Sequence, residues 1–163
     1  MPAQKRGKSK QDYTTPVEFL DAVKKRFQFP RFDWDLAASR ENAVDGLGPS
    51  DKFYGTEEDS LSSTWWQSGH LWLNPPFADI GPWAKKCAEN IDSAHRIYLL
   101  VPASVGSNWY ADHVHAKALV LFLNGRLTFG DLPTVYPKDC LLAVYGESPW
   151  CETWRWRDDV RAS

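Results

Sequence analysis

Four consecutive residues, Asn74-Pro75-Pro76-Phe77, carry the most specific chemistry in this sequence. They follow Leu71-Trp72-Leu73, a short apolar run that reads as a buried strand. Two prolines cannot continue a central strand, because each lacks the backbone N–H and fixes φ. The strand therefore stops where a polar amide and an aromatic ring stand side by side, and open α/β sheets place their ligands at such strand ends. Asn74 Oδ1 and the Pro75 carbonyl are two acceptors able to hold both hydrogens of an exocyclic amino group. Phe77 offers a face on which a flat heterocycle stacks. An aromatic amine is a poor nucleophile, since its lone pair is delocalised into the ring. Accepting both N–H groups favours a more pyramidal nitrogen and stabilises the positive charge that builds as it attacks. Stacking holds that nitrogen in line with an electrophilic carbon. Asn74, Pro75, Pro76 and Phe77 are thus the candidate catalytic residues. With a sulfonium methyl as electrophile, neither a metal nor prior deprotonation is required.

Other positions offer weaker signals, each with two readings. Asp35 ends a short alternating run, Phe32-Asp33-Trp34-Asp35-Leu36, that empties into Ala37-Ala38-Ser39. Small residues at a strand–helix junction let a cofactor approach the backbone, although the usual glycine-rich form is missing. The alternative is that Asp35 caps the next turn. Asp59, in Glu57-Glu58-Asp59, is either a contact to a cofactor amine or a solvated acid. Thr15-Pro16-Val17-Glu18 reads as a helix start, with Thr15 as N-cap, Pro16 in the first helical position and Glu18 closing a capping box. A cofactor contact there would be additional, since helix N-termini favour carboxylates. Arg126, in the turn Asn124–Gly130, is either a phosphate or base contact or a solvated arginine. His113 and His115 have no third ligand at a sensible spacing, so no metal site is expected. Neither a G-x-S-x-G nucleophile elbow nor a P-loop occurs, which excludes those hydrolase and nucleotide-hydrolysing classes.

The elements that must position these residues follow from periodicity. Phe19, Leu20, Val23 and Phe27 repeat at helical spacing down to about Phe27. From Asn42 to about Ser63 the chain is rich in Gly, Asp and Ser and reads as loop with a brief strand at Phe53-Tyr54. Trp83, Ala84, Cys87, Ala88 and Ile91 form a second helical stripe, and Arg96–Val101 is a buried-strand run closed by Pro102. A short helix is expected around Ser107–His115, then a strand at Ala118–Leu123, a Gly125 turn into Leu127–Phe129, and a late strand at Leu141–Tyr145. Strands alternating with helices, and late strands with no helix between them, predict a three-layer α/β domain whose mostly parallel sheet has an antiparallel edge.

Composition sets the surroundings. The 163 residues suit one domain with one sizeable core, residues 13–163, behind a flexible basic arm over 1–12. Lys5, Arg6, Lys8 and Lys10 give that arm four positive charges, so a total of −2 leaves the remainder acidic. Such an arm either lends phosphate affinity or merely solubilises, and any contact of the rest with nucleic acid must be local. Of nine tryptophans, Trp65, Trp66, Trp154 and Trp156 lie in polar surroundings and are expected to be partly exposed, as rim packing or as base-stacking surfaces. Three cysteines without C-x-x-C spacing suit reduced thiols in the cytoplasm. No apolar run approaches the ~20 residues of a membrane span, and no secretory signal is recognisable at the N-terminus.

Taken in order, these elements resemble the short Dam-like family of DNA N6-adenine methyltransferases found in phages and prophages. The resemblance runs from about Tyr13 to Tyr145: Thr15-Pro16, Phe32-x-x-Asp35-x-Ala37-Ala38, Asn42, Phe53-Tyr54, Asp59-x-Leu61, then Trp65 or Trp66. It continues through Leu71–Phe77, Ile80, Trp83, Leu100–Ala103, Trp109-Tyr110 and Gly125-Arg126-Leu127-x-Phe129-Gly130. It implies a Rossmann-like class I methyltransferase fold, S-adenosylmethionine as cofactor, and DNA as partner for a monomer or homodimer with no membrane association. The target amine falls at Asn74, Pro75 and Phe77, and cofactor contacts near Thr15, Pro16, Asp35, Ala37 and Asp59, with Asn74 bordering both. DNA contacts fall on Arg126 and on Lys5, Arg6, Lys8 and Lys10. A phage enzyme of this kind works in the host cytoplasm.

Tyr136-Pro137-Lys138-Asp139-Cys140 departs from the Pro-Phe-x-Ser type of stretch usual in that family. With little room for a separate recognition domain, sequence choice is expected from loops such as Gly46–Ser63 and the Asn124–Phe129 turn, alone or with a second subunit. The same acceptor pair also suits cytosine N4, adenine in RNA or a protein glutamine. A non-catalytic nucleic-acid-binding protein would use the arm, the tryptophans and Arg126 but leave Asn74–Phe77 unexplained.

Overall fold

A computed structural model describes residues 14–37, 57–65, 67–130 and 133–161. Its elements run α1 (Val17–Phe27), β1 (Trp34–Asp35), α2 (Glu57–Ser62), β2 (Gly69–Leu73), α3 (Gly81–Glu89), β3 (His95–Pro102), α4 (Asn108–His113), β4 (Leu119–Leu123), β5 (Cys140–Tyr145), β6 (Trp150–Trp154) and α5 (Trp156–Arg161).

The α1 stripe of Phe19, Leu20, Ala22 and Val23 is buried, Glu18 sits in the first turn and Lys24, Lys25 and Arg26 in the last, which matches the helix dipole at both ends. The helix closes on Gln28 in the left-handed conformation, φ 60°, whose N–H donates to the Lys24 and Lys25 carbonyls. One detail differs from expectation. Pro16 is itself the N-cap residue, with an extended ψ of 135°, and no side chain caps the helix. Thr15 therefore stands one residue ahead of the cap, and no capping box forms.

Six strands form one sheet in the order β1-β2-β3-β5-β4-β6. β1, β2 and β3 are mutually parallel, and β4 and β6 are parallel to each other. Only β5 is reversed, pairing antiparallel with β3 on one side and β4 on the other. The antiparallel strand is thus interior, not at the edge. All six β5 residues are buried, as a doubly flanked strand requires, whereas β6 exposes four of its five and takes the outer position.

Period-two alternation divides the core between the two faces. Trp72, Tyr98, Leu100, Leu142 and Val144 face α1 and α5. Leu71, Leu73, Ile97, Leu99, Val101, Leu141 and Ala143 face α3 and α4, whose Trp83, Ala84, Cys87 and Tyr110 cover them. Burying each such Leu or Phe contributes roughly 1.5–3 kcal/mol. Because β1, β2 and β3 run the same way, Asp35, Leu73 and Pro102 all end at one edge. β5 begins there, with Cys140 paired to Pro102, and the turn after Leu123 lies there too. No described helix is long and apolar enough to cross a membrane.

Candidate functional site

The chain leaves β2 through Asn74, and Pro75 ends the ladder because it has no N–H to donate. Asn74 Nδ2 donates to Thr15 Oγ1 at 3.1 Å, across 59 positions of sequence. Its other end is different: Asn74 Oδ1 is buried and accepts no hydrogen bond among the described residues. Leaving such an acceptor unpaired costs about 1–3 kcal/mol. Thr15 is only 5% exposed, so water does not replace Asn74 as its partner. The backbone ahead of α1 is fixed by a further bond, Gly130 N–H to the Thr14 carbonyl at 2.8 Å, with Gly130 at φ 51°.

Phe77 is half-buried and packs against the core on both sheet faces. Its ring stands edge-on to Phe129, centroids 6.0 Å apart at 77°, and tilted against Tyr136 at 5.6 Å and 57°. Together with Ile80, Asn108, Trp109, Tyr136 and Lys138 it lines a cavity of about 600 Å³, within the size range of small-molecule sites. The α4 wall of this cavity is set by Ser107, the N-cap, whose Oγ accepts from Tyr110 N–H. The opposite wall comes from the segment before β5, held by Ala103 N–H to the Asp139 carbonyl and Tyr136 N–H to the Leu127 carbonyl. At the head of β5, burial first and Asp139 second push the Cys140 thiol up to about 12, so it stays protonated at neutral pH.

Asp35 is 2% exposed at the tip of β1, two register positions from Asn74, since its partner on β2 is Trp72. Its Oδ1 accepts from Ala37 N–H at 3.1 Å, the turn-capping arrangement that was one of its two readings. The structure thus brings Thr15, Pro16, Asp35, Ala37 and Asn74–Phe77 to one sheet edge. Asp59 falls in α2, a helix where loop was expected, and its side chain lies outside the described residues. So do Lys5, Arg6, Lys8 and Lys10, and with them Ala38, Asn42, Phe53, Tyr54 and Trp66.

Arg126 is about half exposed and donates from Nε to Asp139 Oδ1 at 3.0 Å, while its carbonyl accepts from Arg157. An exposed ion pair of this kind is worth about 0–1 kcal/mol and is easily exchanged for another anion. Its turn is braced by Trp156, whose Nε1–H donates to the Gly125 carbonyl. The tryptophans correct the sequence reading. Trp65, Trp154 and Trp156 are core residues, because polar neighbours satisfy their indole N–H groups internally: Ser60, Asp159 and Gly125 respectively. Among the described tryptophans Trp150 on β6 is instead the exposed one, at 67%.

Two contacts had no sequence signal. Thr15 meets Asn74 only through tertiary structure, and Tyr136 comes from a non-periodic stretch that carried no structural expectation. Among the described residues, no cluster of His, Cys, Asp or Glu is arranged to hold a metal.

A family model described as DNA N-6-adenine-methyltransferase (Dam) matches residues 3–140, which include every residue of this site. A DNA N-6-adenine-methyltransferase of Escherichia phage T1 is 30% identical over 116 residues, covering 71% of this chain and 46% of that protein. The chain therefore spans about half the length of that relative.

Proposed function

As a member of the DNA N-6-adenine-methyltransferase (Dam) family, the chain has a bounded set of possible reactions, and we propose that it transfers a methyl group from S-adenosylmethionine to the exocyclic N6 of adenine in DNA. The observation that carries this reading is the buried Asn74 Oδ1, which accepts no hydrogen bond among the described residues, three positions ahead of Phe77 on the cavity wall. A buried acceptor without a donor is suited to a ligand that brings one, and a flat ring with an exocyclic amine fits both that acceptor and the aromatic wall.

In this mechanism Asn74 Oδ1 and the Pro75 carbonyl accept the two N6 hydrogens of an adenine flipped out of the stack. Phe77 holds the ring by its face, and Pro76 fixes the backbone between them. The acceptors carry partial negative charge and are fixed before reaction, so they stabilise positive charge on N6 without reorganising. Neither is titratable, so the proton that N6 sheds after forming its new bond to carbon goes to solvent.

Thr15, Pro16, Asp35, Ala37 and Asp59 would hold the cofactor, with Asn74 at the boundary between the two ligands. The donor set fits: a buried carboxylate at the tip of β1, a hydroxyl, an amide and small Ala37 at the junction. S-adenosylmethionine held there would supply an electrophilic methyl carbon, with its sulfur as the leaving group that keeps the bonding electron pair. Arg126 and the arm residues Lys5, Arg6, Lys8 and Lys10 contact phosphate. The fold reading is Rossmann-like class I, over a single domain from 13 to 163, and a reversed strand set between parallel ones supports it.

Incubation of the protein with DNA and labelled cofactor, followed by digestion to nucleosides and mass analysis, tests the reading. N6-methyladenine is expected. Methyl on cytosine N4, methyl incorporated only into RNA or protein, or binding without any transfer would each replace it.

A further inference from the structure

Thr15 was expected to cap a helix or touch a cofactor. It caps no helix; its hydroxyl accepts the Asn74 Nδ2 hydrogen bond, from a position that no side-chain cap uses. The amide of asparagine is nearly symmetric in shape, so packing alone distinguishes its two ends poorly. What distinguishes them is the set of partners. An amide whose Nδ2 is committed to Thr15 turns Oδ1 to the other side, where it is buried and has no donor among the described residues. With the ends exchanged, two N–H groups would face a substrate amine that itself offers only N–H groups, and no hydrogen bond could form.

We infer that Thr15 is a positioning residue: it holds the Asn74 amide with its acceptor end toward the target amine. The inference rests on the proposed amine-methylating function. Thr15 itself is placed by three restraints. Gly130 N–H holds the preceding carbonyl at 2.8 Å, Pro16 fixes φ at −60° immediately after it, and burial excludes water from its side chain. In the arrangement the structure shows, the hydroxyl accepts the Nδ2 hydrogen bond, although it can also donate, whereas a methyl in the same place would leave the amide without this partner.

The test uses Thr15→Val, which keeps the shape and removes the acceptor, and Thr15→Ser, which keeps the acceptor and removes a methyl. The first readout is the Asn74 side-chain NH₂ signal in NMR spectra of the free ¹⁵N-labelled protein. In Thr15→Val the pair should move upfield and broaden, while in Thr15→Ser it should stay near its wild-type position. The second is turnover: kcat should fall roughly 10–100-fold in Thr15→Val, with KM for DNA changed less than about threefold, and Thr15→Ser should restore most of it. An unchanged Asn74 signal in Thr15→Val overturns the inference whatever the activity, and so does a shifted signal with wild-type kcat. A wild-type protein that methylates no amine, while its Asn74 signal still responds to Thr15→Val but not to Thr15→Ser, overturns the functional reading and leaves the oriented amide standing.

Discussion

The rings of Phe77 and Tyr136 lie 5.6 Å apart, tilted by 57°, although 59 positions of sequence separate them. The first comes from the exit of β2 and the second from the segment before β5, so the contact closes the cavity from two sides of the sheet edge. Phe129 completes the group, edge-on to both. An aromatic wall built this way is braced before any ligand arrives, which lowers the ordering cost of stacking.

Phe77→Ala should therefore harm both folding and turnover. Loss of a half-buried ring that touches both halves of the core is expected to cost about 2–4 kcal/mol, toward the lower part of the range for Phe→Ala in cores. Phe77→Tyr keeps the face and should retain activity within about tenfold. Denaturant midpoints and steady-state kinetics on the two variants, read together, separate packing from stacking.

Asp35 invites a similar separation. Its Oδ1 supports the turn through Ala37 N–H, and an amide oxygen can do the same. Asp35→Asn should fold with a midpoint close to wild type, whereas Asp35→Ala should lose about 1 kcal/mol with the turn bond. If the carboxylate also contacts the cofactor, calorimetry with S-adenosylhomocysteine should show affinity falling about tenfold or more in both variants. Unchanged affinity in Asp35→Asn would leave Asp35 with the turn alone.

The opposite end of the sheet predicts a pH dependence. His70 is stacked on Phe29, centroids 3.7 Å apart at 6°, with Nδ1 2.8 Å from the Tyr98 hydroxyl. Burial lowers its pKa from the ordinary 6.5; Asp33 and Glu147 oppose that and Arg96 adds to it. The unfolded chain thus takes up a proton that the folded one resists. This contribution to stability is complete above the ordinary value and is lost as pH falls below it toward the folded value. Denaturation at about pH 7.5 and about pH 5.5 should show a loss in acid that His70→Gln reduces.

Much of this arrangement was legible in the residues. The α1 stripe, the β3 run of Arg96–Val101 and the break at Asn74-Pro75 depend on local periodicity and on proline, and each appears where expected. The interior place of β5 was not legible, because strand order is decided by non-local pairing and Leu141–Tyr145 reads the same beside one neighbour or two. β6 and α5 escaped for the opposite reason: Trp150–Thr153 are exposed, so β6 shows little apolar pattern, and α5 is one short helix. The tryptophans misled because Trp65, Trp154 and Trp156 point inward to the Ser60 carbonyl, the Asp159 carboxylate and the Gly125 carbonyl, while their polar neighbours Thr64, Thr153 and Arg155 stay exposed. The Thr15–Asn74 bond has no trace in either local segment.

The central claim is that Asn74 presents an acceptor to an adenine amine. Wild-type protein and Asn74→Ala, matched by thermal denaturation for intact folding, should be assayed for N6-methyladenine formed per enzyme in DNA supplied with S-adenosylmethionine. Product is expected from the wild type, with a loss in Asn74→Ala of at least about a hundredfold, the scale of one preorganised charge-stabilising group. Equal product from both proteins, or none from a wild type that binds cofactor and DNA, would contradict that claim.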